Sequence, residues 1–207
     1  MFDSNEDRAE RREALFDIEN FERDPENFYR RAGPLVYHDK KPSLVHNVLA
    51  ELERQGALKA VITQNIDQLH QRAGSLKVIE LHGSPRVHYC LRCAGIRVSY
   101  GEAAAAVAAG RVPRCPRCAA VLKPAITFYG EPLPLAARRE AEEEAAAADL
   151  MLVLGTSLRV NPAAAIPRTC LRHGGKIVIV NRQDTPLDQA AFLRFRDLSD
   201  LKTQLDP

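Results

Sequence analysis

Leu150-Met151-Leu152-Val153-Leu154, followed by Gly155-Thr156-Ser157, and Lys176-Ile177-Val178-Ile179-Val180, followed by Asn181, are the stretches whose reading decides the fold. Each is a nearly continuous apolar run that ends on small or polar side chains. Alternation would mark a strand with one wet face, whereas a short unbroken apolar run bounded by turn residues marks a strand buried on both faces. Two shorter β-branched runs, Ala60-Val61-Ile62-Thr63 and Val78-Ile79-Glu80-Leu81, share that character. Between them lie segments of helical spacing. After Ser43, the apolar residues Leu44, Val45, Val48, Leu49 and Leu52 recur on one face until Gly56. Asp24-Pro25 opens another helix, over Glu26 to Ala32, with Gly33 expected as its stop. Alanine-rich 136–148 reads as a helix whose charges, Arg138 and Glu142 among them, form a solvated face. Helices alternating with buried strands predict an α/β fold with a doubly wound parallel sheet, whose ligands bind beyond the carboxyl ends of the strands.

The chain has 207 residues, 45% of them hydrophobic, enough for one ordinary domain with a small insert. No apolar run reaches the roughly 20 residues of a membrane-spanning helix, and the start, MFDSNEDRAERRE, is charged where a secretory signal would be apolar. A soluble intracellular protein with no membrane partner is expected. The net charge of +2 comes from interleaved basic and acidic residues, so nothing in it demands nucleic acid. No oligomeric state can be read from the sequence.

Cys90-Leu91-Arg92-Cys93 and Cys115-Pro116-Arg117-Cys118, with 21 residues between them, carry the strongest local signal. Each CxxC turn aims two sulfurs at one ion, and two turns complete the closed tetrahedron of a structural Zn²⁺. Four thiolates leave no position open for catalytic water. Close cysteine pairs suit a metal in a reducing compartment better than a disulfide framework, which points to the cytoplasm. Cys170, alone in a helical stretch, reads as a small core residue.

Polar residues follow every expected strand. Gln64, Asn65 and Asp67 come after Thr63, His82-Gly83 after Leu81, Gly155-Thr156-Ser157 after Leu154, and Asn181 after Val180. Taken singly, Asp67 is a helix cap, Asn65 a turn residue and His82 a structural histidine. Taken together they line one edge of one sheet as a crevice, where carboxamides meet hydroxyls, small residues meet a ribose or phosphate, and an imidazole of ordinary pKa near 6.5 moves protons at neutral pH. Asn161-Pro162 reads as a helix cap and first helical residue.

In order, Thr63-Gln64-Asn65-Ile66-Asp67, Leu81-His82-Gly83, the two CxxC pairs, Tyr129-Gly130-Glu131-Pro132-Leu133-Pro134, Gly155-Thr156-Ser157-Leu158 and Val180-Asn181 resemble the successive signatures of the sirtuin family. The likeness runs from about Leu15 to Leu198. It implies a Rossmann-like NAD-binding domain over 14–88 and 123–203, a small zinc domain over 89–122, a variable segment 1–13, and an acyl-lysine peptide in a cleft between the domains. It further implies NAD-dependent removal of acetyl or other acyl groups from protein lysines, giving nicotinamide and O-acyl-ADP-ribose. Carried over by position, His82 would be the general base. Gln64, Asn65 and Asp67 would hold the nicotinamide-ribose end of NAD+, Gly155, Thr156 and Ser157 its phosphate and ribose region, and Asn181 the adenosine ribose. Ile126, Tyr129, Gly130 and Glu131 on one side, and Arg159, Val160 and Asn161 on the other, would be the edges between which a substrate peptide pairs as an added strand. Tyr129 stands where the family usually has phenylalanine.

The front of the chain departs from that pattern. The family begins with a strand and a glycine-rich turn, yet here the first glycine is Gly33. Backbone amides at such a turn cradle a pyrophosphate, so weak NAD binding and an exposed sheet edge are expected of the chain as given. A catalytically impaired acyl-lysine or partner-binding module is therefore the alternative to an enzyme. A zinc-ribbon nucleic-acid binder, suggested by Arg92, Arg97, Arg111, Arg114 and Arg117, ranks third because no aromatic platform accompanies the arginines.

Overall fold

The computed structural model describes residues 13–93 and 95–197. Along the chain, α1 (Ile18–Arg23), α2 (Pro25–Val36) and α3 (Leu44–Arg54) precede β1 (Val61–Thr63), α4 (Leu69–Arg72) and β2 (Val78–Glu80). Then come β3 (Gly83–Cys90), β4 (Arg97–Ser99), α5 (Tyr100–Ala108) and β5 (Leu122–Ile126). The last elements are α6 (Leu135–Ala147), β6 (Leu150–Leu154), α7 (Ile166–Arg172), β7 (Lys176–Val180) and β8 (Leu193–Phe195). They fall into two compact units, one of residues 13–41, 65–69 and 82–134, the other of 42–64, 70–81 and 135–197. Segment 1–12, where the variable start was expected, lies outside the described residues.

The second unit carries the parallel strands. β1 pairs with β2 from Val61 opposite Val78, β6 with β7 from Leu150 opposite Lys176, and β7 with β8 from Val178 opposite Leu193. β7 lies between two strands, and its Ile177 and Ile179 are wholly buried, as a continuous apolar run requires. β6 differs: Leu150 is 51% exposed and only Val153 is buried. Among the described residues β6 pairs with β7 alone and β1 with β2 alone, so the strands form a two-stranded and a three-stranded sheet. The parallel strands expected from the sequence are present, hydrogen-bonded among the described residues as a β1–β2 pair and a β6–β7–β8 set.

α3 begins at Ser43, which forms a reciprocal cap with His46, and stops before Gly56 at φ +77°. α6 buries Ala141 and Ala145 completely in the core of Ile79, Val153, Ile166, Ile177 and Ile179, since alanine lets the helix approach closely. Its other face is charged: Arg138 pairs with Glu142 at 2.9 Å, and Glu144 with Lys77 at 2.5 Å. Cys170 packs in the same core with no exposure.

The first unit is built on antiparallel β4-β3-β5 and a cluster of aromatic rings. Asp17 and Asp24 accept from Asn20 and Asn27 N–H as the caps of α1 and α2. Phe21, Phe28 and Phe128 meet with ring centroids 5.2 to 5.4 Å apart, geometry favoured by ring quadrupoles. The sequence expectation that α2 stops at Gly33 is corrected: the helix continues to Val36. A Cβ at Gly33 would stand 3.0 Å from Val107 Cγ1, so the glycine serves close packing against α5 instead of termination. α5 starts with a Ser99–Glu102 capping box, a signal present in the sequence of the alanine-rich segment 101–110.

The unit that holds the cysteine pairs takes in more of the chain than 89–122. β3 and β5 reach beyond the cysteine pairs on both sides, and the phenylalanine core draws 13–41 and 123–134 into the same unit.

Candidate functional site

The four cysteines come together. Cys90 ends β3, Cys93 follows one turn later with its N–H 3.3 Å from Cys90 Sγ, and Cys115 and Cys118 lie in a turn closed by Ala119 N–H on Cys115 O at 2.9 Å. The four sulfurs lie within 4.8 Å of one another, Cys90 and Cys118 at 3.6 Å. Ligands about 2.3 Å from a tetrahedral Zn²⁺ stand about 3.8 Å apart, so the cluster fits. Its electrostatics agree. The Ala120 N–H, then the Cys93 thiol, pull Cys118 down to about 7. Donation to Cys118, then burial, pushes Cys93 up to about 12. Without a cation, one thiolate is stabilised at its neighbours' expense, and a divalent metal removes that conflict.

In the first unit, His82 occupies the turn entering β3 and is half-buried. Its carbonyl accepts Thr127 N–H at 2.8 Å, just beyond β5. Gly83, at φ +68°, lies opposite Ile126, and a Cβ there would fall 2.3 Å from Ala125 O. Only glycine lets the two backbones meet beside His82. Asn65 is exposed, and Asp67 accepts Leu69 N–H at 3.0 Å, a turn bond of the capping kind expected.

The segment 126–131 is organised from within. Lys123, fully buried, extends Nζ to Glu131 Oε2 at 2.8 Å and Ile126 O at 2.8 Å, with the Phe128 ring centroid 4.2 Å away. Glu131 Oε2 accepts Phe128 N–H at 2.8 Å, and Glu131 N–H returns to Phe128 O at 3.0 Å. Gly130, at φ +89°, takes the turn position that favours glycine. Tyr129 donates its N–H to Phe16 O at 2.7 Å and accepts Ile18 N–H at 3.0 Å. Three of the residues expected along the peptide edge are engaged within the unit. Ile126 is 3% exposed in the phenylalanine core, Tyr129 has its backbone taken by residues 16–18, and the Glu131 carboxylate faces its own turn. Exposed Gly130 and the half-exposed Tyr129 ring remain outward.

In the second unit, hydrogen bonds link the residues that follow β1, β6 and β7. Gln64, after β1, reaches Thr156 Oγ1 after β6 at 3.4 Å, and that hydroxyl also accepts Leu158 N–H at 3.3 Å. Gly155 at φ +62° donates to Val180 O, placing Gly155 and half-buried Ser157 beside the carboxyl end of β7. Asn181 donates through Nδ2 to Gln183 O at 2.9 Å and through its backbone N–H to Phe195 O at 3.1 Å. Arg159, Val160 and Asn161 are exposed. The expected helix start at Pro162 is displaced: a 3-10 turn begins at Ala163 and α7 at Ile166.

Sequence reasoning passed over Lys123, although a lysine inside the apolar run 121–128 was the available signal. It also passed over His88, which is wholly buried in β3 and hydrogen-bonded through Nε2 to Tyr37 OH. Burial holds its imidazole down to about 4, keeping it neutral.

Comparison with known proteins joins these parts. The family model described as "Sir2 family" matches residues 2–162. An NAD-dependent protein deacetylase of Thermotoga maritima is 47% identical over 183 residues, 87% of this chain and 74% of that protein. The NAD-dependent protein deacylase 2 of Archaeoglobus fulgidus is 42% identical, over 85% of this chain and 70% of its own. With the Thermodesulfovibrio yellowstonii deacetylase, 44% identical, the match takes in 76% of this chain and 61% of that protein. Among solved structures, Sir2Tm bound to a propionylated peptide superposes with a TM-score of 0.84 at 45% identity, covering 92% of this chain and 81% of that one. A Sir2 complex with p53 peptide and NAD+ gives 0.84 at 45%, over 91% and 80%. The fold, the cysteine cluster and these relatives define an NAD-dependent protein deacylase. The chain belongs to the Sir2 family.

Proposed function

We propose that the chain removes acetyl or other acyl groups from lysines of proteins or peptides, consuming NAD+ and releasing nicotinamide and O-acyl-ADP-ribose, with His82 as general base. One observation carries the reading: the chain is 47% identical to an NAD-dependent protein deacetylase over 87% of its length, and His82 falls inside the residues matching the family. When bound, NAD+ supplies a ribose carbon open to displacement and nicotinamide as the leaving group. The protein's task is then positioning and proton transfer. Thr127 N–H holds the His82 carbonyl, and the imidazole is the group that accepts a proton from a ribose hydroxyl and returns it. Asn65, Asp67 and Gln64 serve the nicotinamide-ribose end. Gly155, Thr156 and Ser157 serve phosphate and ribose, and Asn181 the adenosine ribose. Gly130 and Tyr129, with Arg159, Val160 and Asn161, face the peptide. Zinc on Cys90, Cys93, Cys115 and Cys118 is structural, because four thiolates close its coordination. Four thiols committed to a metal suit a reducing compartment, and the cytoplasm is the site proposed.

The test is nicotinamide release from NAD+ in the presence and absence of an acetyl-lysine peptide. Peptide-dependent release with formation of O-acetyl-ADP-ribose is expected. Peptide binding without release would return the chain to the binding-module alternative.

A further inference from the structure

We propose that the ion pair between buried Lys123 and half-buried Glu131 is a positioning pair, which holds the 126–131 turn in the one shape that receives the acyl-lysine peptide. The inference rests on the reading above that this turn faces the peptide. Its physical basis is how the two charges are spent. Lys123 is wholly buried on β5, yet its ammonium makes two 2.8 Å bonds, one to Ile126 O where β5 ends and one to Glu131 Oε2 beyond the turn. The same carboxylate oxygen accepts Phe128 N–H at 2.8 Å. One charged pair thus engages the turn at Ile126, Phe128 and Glu131, with the Phe128 ring against the ammonium.

With its lysine fully buried, such a pair is a poor device for stability alone, since an apolar pair of similar volume often does as well or better. The role proposed for it instead is to fix a backbone whose shape matters, as satisfied polar networks do in some proteins. Here the shape matters twice. The turn presents Tyr129 and Gly130 outward, and its Thr127 N–H holds the carbonyl of His82. The bonds from the pair go to Ile126 and Phe128 on either side of Thr127, while Thr127 keeps its own bond to His82. Loosening the pair therefore loosens the peptide-facing turn first and the base least. The predicted signature is a rise in peptide KM larger than any fall in kcat.

Three variants separate positioning from folding. Glu131→Ala removes both the ion pair and the acceptor for Phe128 N–H. Glu131→Gln keeps a carbonyl acceptor for that N–H and removes the charge. The double variant Lys123→Met with Glu131→Gln removes both charges, so no unpaired ammonium is buried if a single variant fails to fold. Each is checked for zinc content and melting temperature, then assayed by nicotinamide release at varied acetyl-lysine peptide and varied NAD+. The expected result is a peptide KM raised about tenfold or more in Glu131→Ala, less in Glu131→Gln, and between the two in the double variant. The KM for NAD+ should stay within about twofold and kcat within about threefold. Folded, zinc-loaded variants with an unchanged peptide KM overturn the proposal, as does a loss confined to kcat. If the unaltered protein releases no nicotinamide, the deacylase reading fails separately. The pair is then judged by fluorescence anisotropy of the labelled acetyl-lysine peptide: a Kd weakened by Glu131→Ala and partly restored by Glu131→Gln supports it, and equal Kd values overturn it.

Discussion

Thr127 donates its backbone N–H to the carbonyl of His82 at 2.8 Å, so the main chain of the candidate base is anchored independently of the side chain it carries. Replacing the ring leaves that anchor in place. His82→Ala should therefore lower deacylation by about 10² to 10⁴-fold while the melting temperature stays within about 2 °C, a change of no more than about 1 kcal/mol. Parallel measurement of nicotinamide release and thermal unfolding checks both halves, and early melting with retained turnover would make His82 a structural histidine.

His88 has the opposite character. It is wholly buried, its Nε2 bonds to Tyr37 OH, and its Nδ1 finds no partner among the described residues. Tyr37→Phe would leave a buried ring nitrogen unsatisfied at a cost of about 1 to 3 kcal/mol. The melting temperature should fall by about 2 to 10 °C. The peptide KM should not move, because Tyr37 stacks on Tyr29 and His88 in the interior of the first unit. A Tyr37→Phe protein as stable as the original would show that the nitrogen finds another donor.

These two histidines also show what the sequence could and could not reveal. The position of His82 just beyond β2 was legible because it follows a recognisable buried strand and precedes a glycine. His88 was not, because β3 mixes Arg86, Val87, His88 and Tyr89 without a clear alternation and takes its register from a bulge between Gly83 and His88. The parallel strands β6 and β7 were legible to the residue, since a run buried by neighbours on both sides needs only apolar side chains. The exposure of β6 was not: how much of it is covered depends on which strands flank it, and that is set by distant parts of the chain. Gly33 misled for a related reason. A glycine that ends a helix and one that admits a neighbouring helix are identical in sequence, and only the position of Val107 separates them. The pairing of Glu131 was not legible either, because its partner, Lys123, is eight residues away across a turn.

The sulfur cluster predicts one Zn²⁺ per chain. Binding energies for such sites run to about 10 to 16 kcal/mol, comparable to or above the stability of a whole domain. Cys118→Ala should therefore lose stoichiometric zinc and unfold the region of β4, α5 and the cysteine turns. Removal with a strong chelator should do the same to the unaltered protein. Elemental analysis and limited proteolysis of 89–122 are the measurements. A metal-free protein with the same proteolytic resistance would show that the core of Cys90, Cys115 and Leu122 holds without an ion.

The unequal surroundings of β6 and β7 give the last prediction. β7 is hydrogen-bonded on both sides, whereas among the described residues β6 is paired only along its β7 edge, with Leu150 51% exposed. In a parallel pair alternate N–H groups point to the other edge, so about half of those in β6 face away from β7. Amide exchange should be at least about 10²-fold slower for Ile177 to Val180 than for those outward groups of β6, because protection follows the local opening free energy. Peptide-resolved mass spectrometry after deuterium labelling reads this directly. The same experiment reaches the candidate cofactor site. Gly155, Thr156 and Ser157 directly continue β6, and the Thr156 hydroxyl ties them to Gln64 at the end of β1 through the 3.4 Å bond. A dinucleotide held by these tips stabilises the folded form in proportion to its occupancy and favours the closed state of the strands that carry them. NAD+ should therefore slow exchange across 61–67 and 150–158 more than across β8, which carries none of the proposed contacts. Equal protection of β6 and β7 without ligand would show that the β6 edge is covered. An exchange pattern indifferent to saturating NAD+ would remove Gly155, Thr156 and Ser157 from the cofactor site.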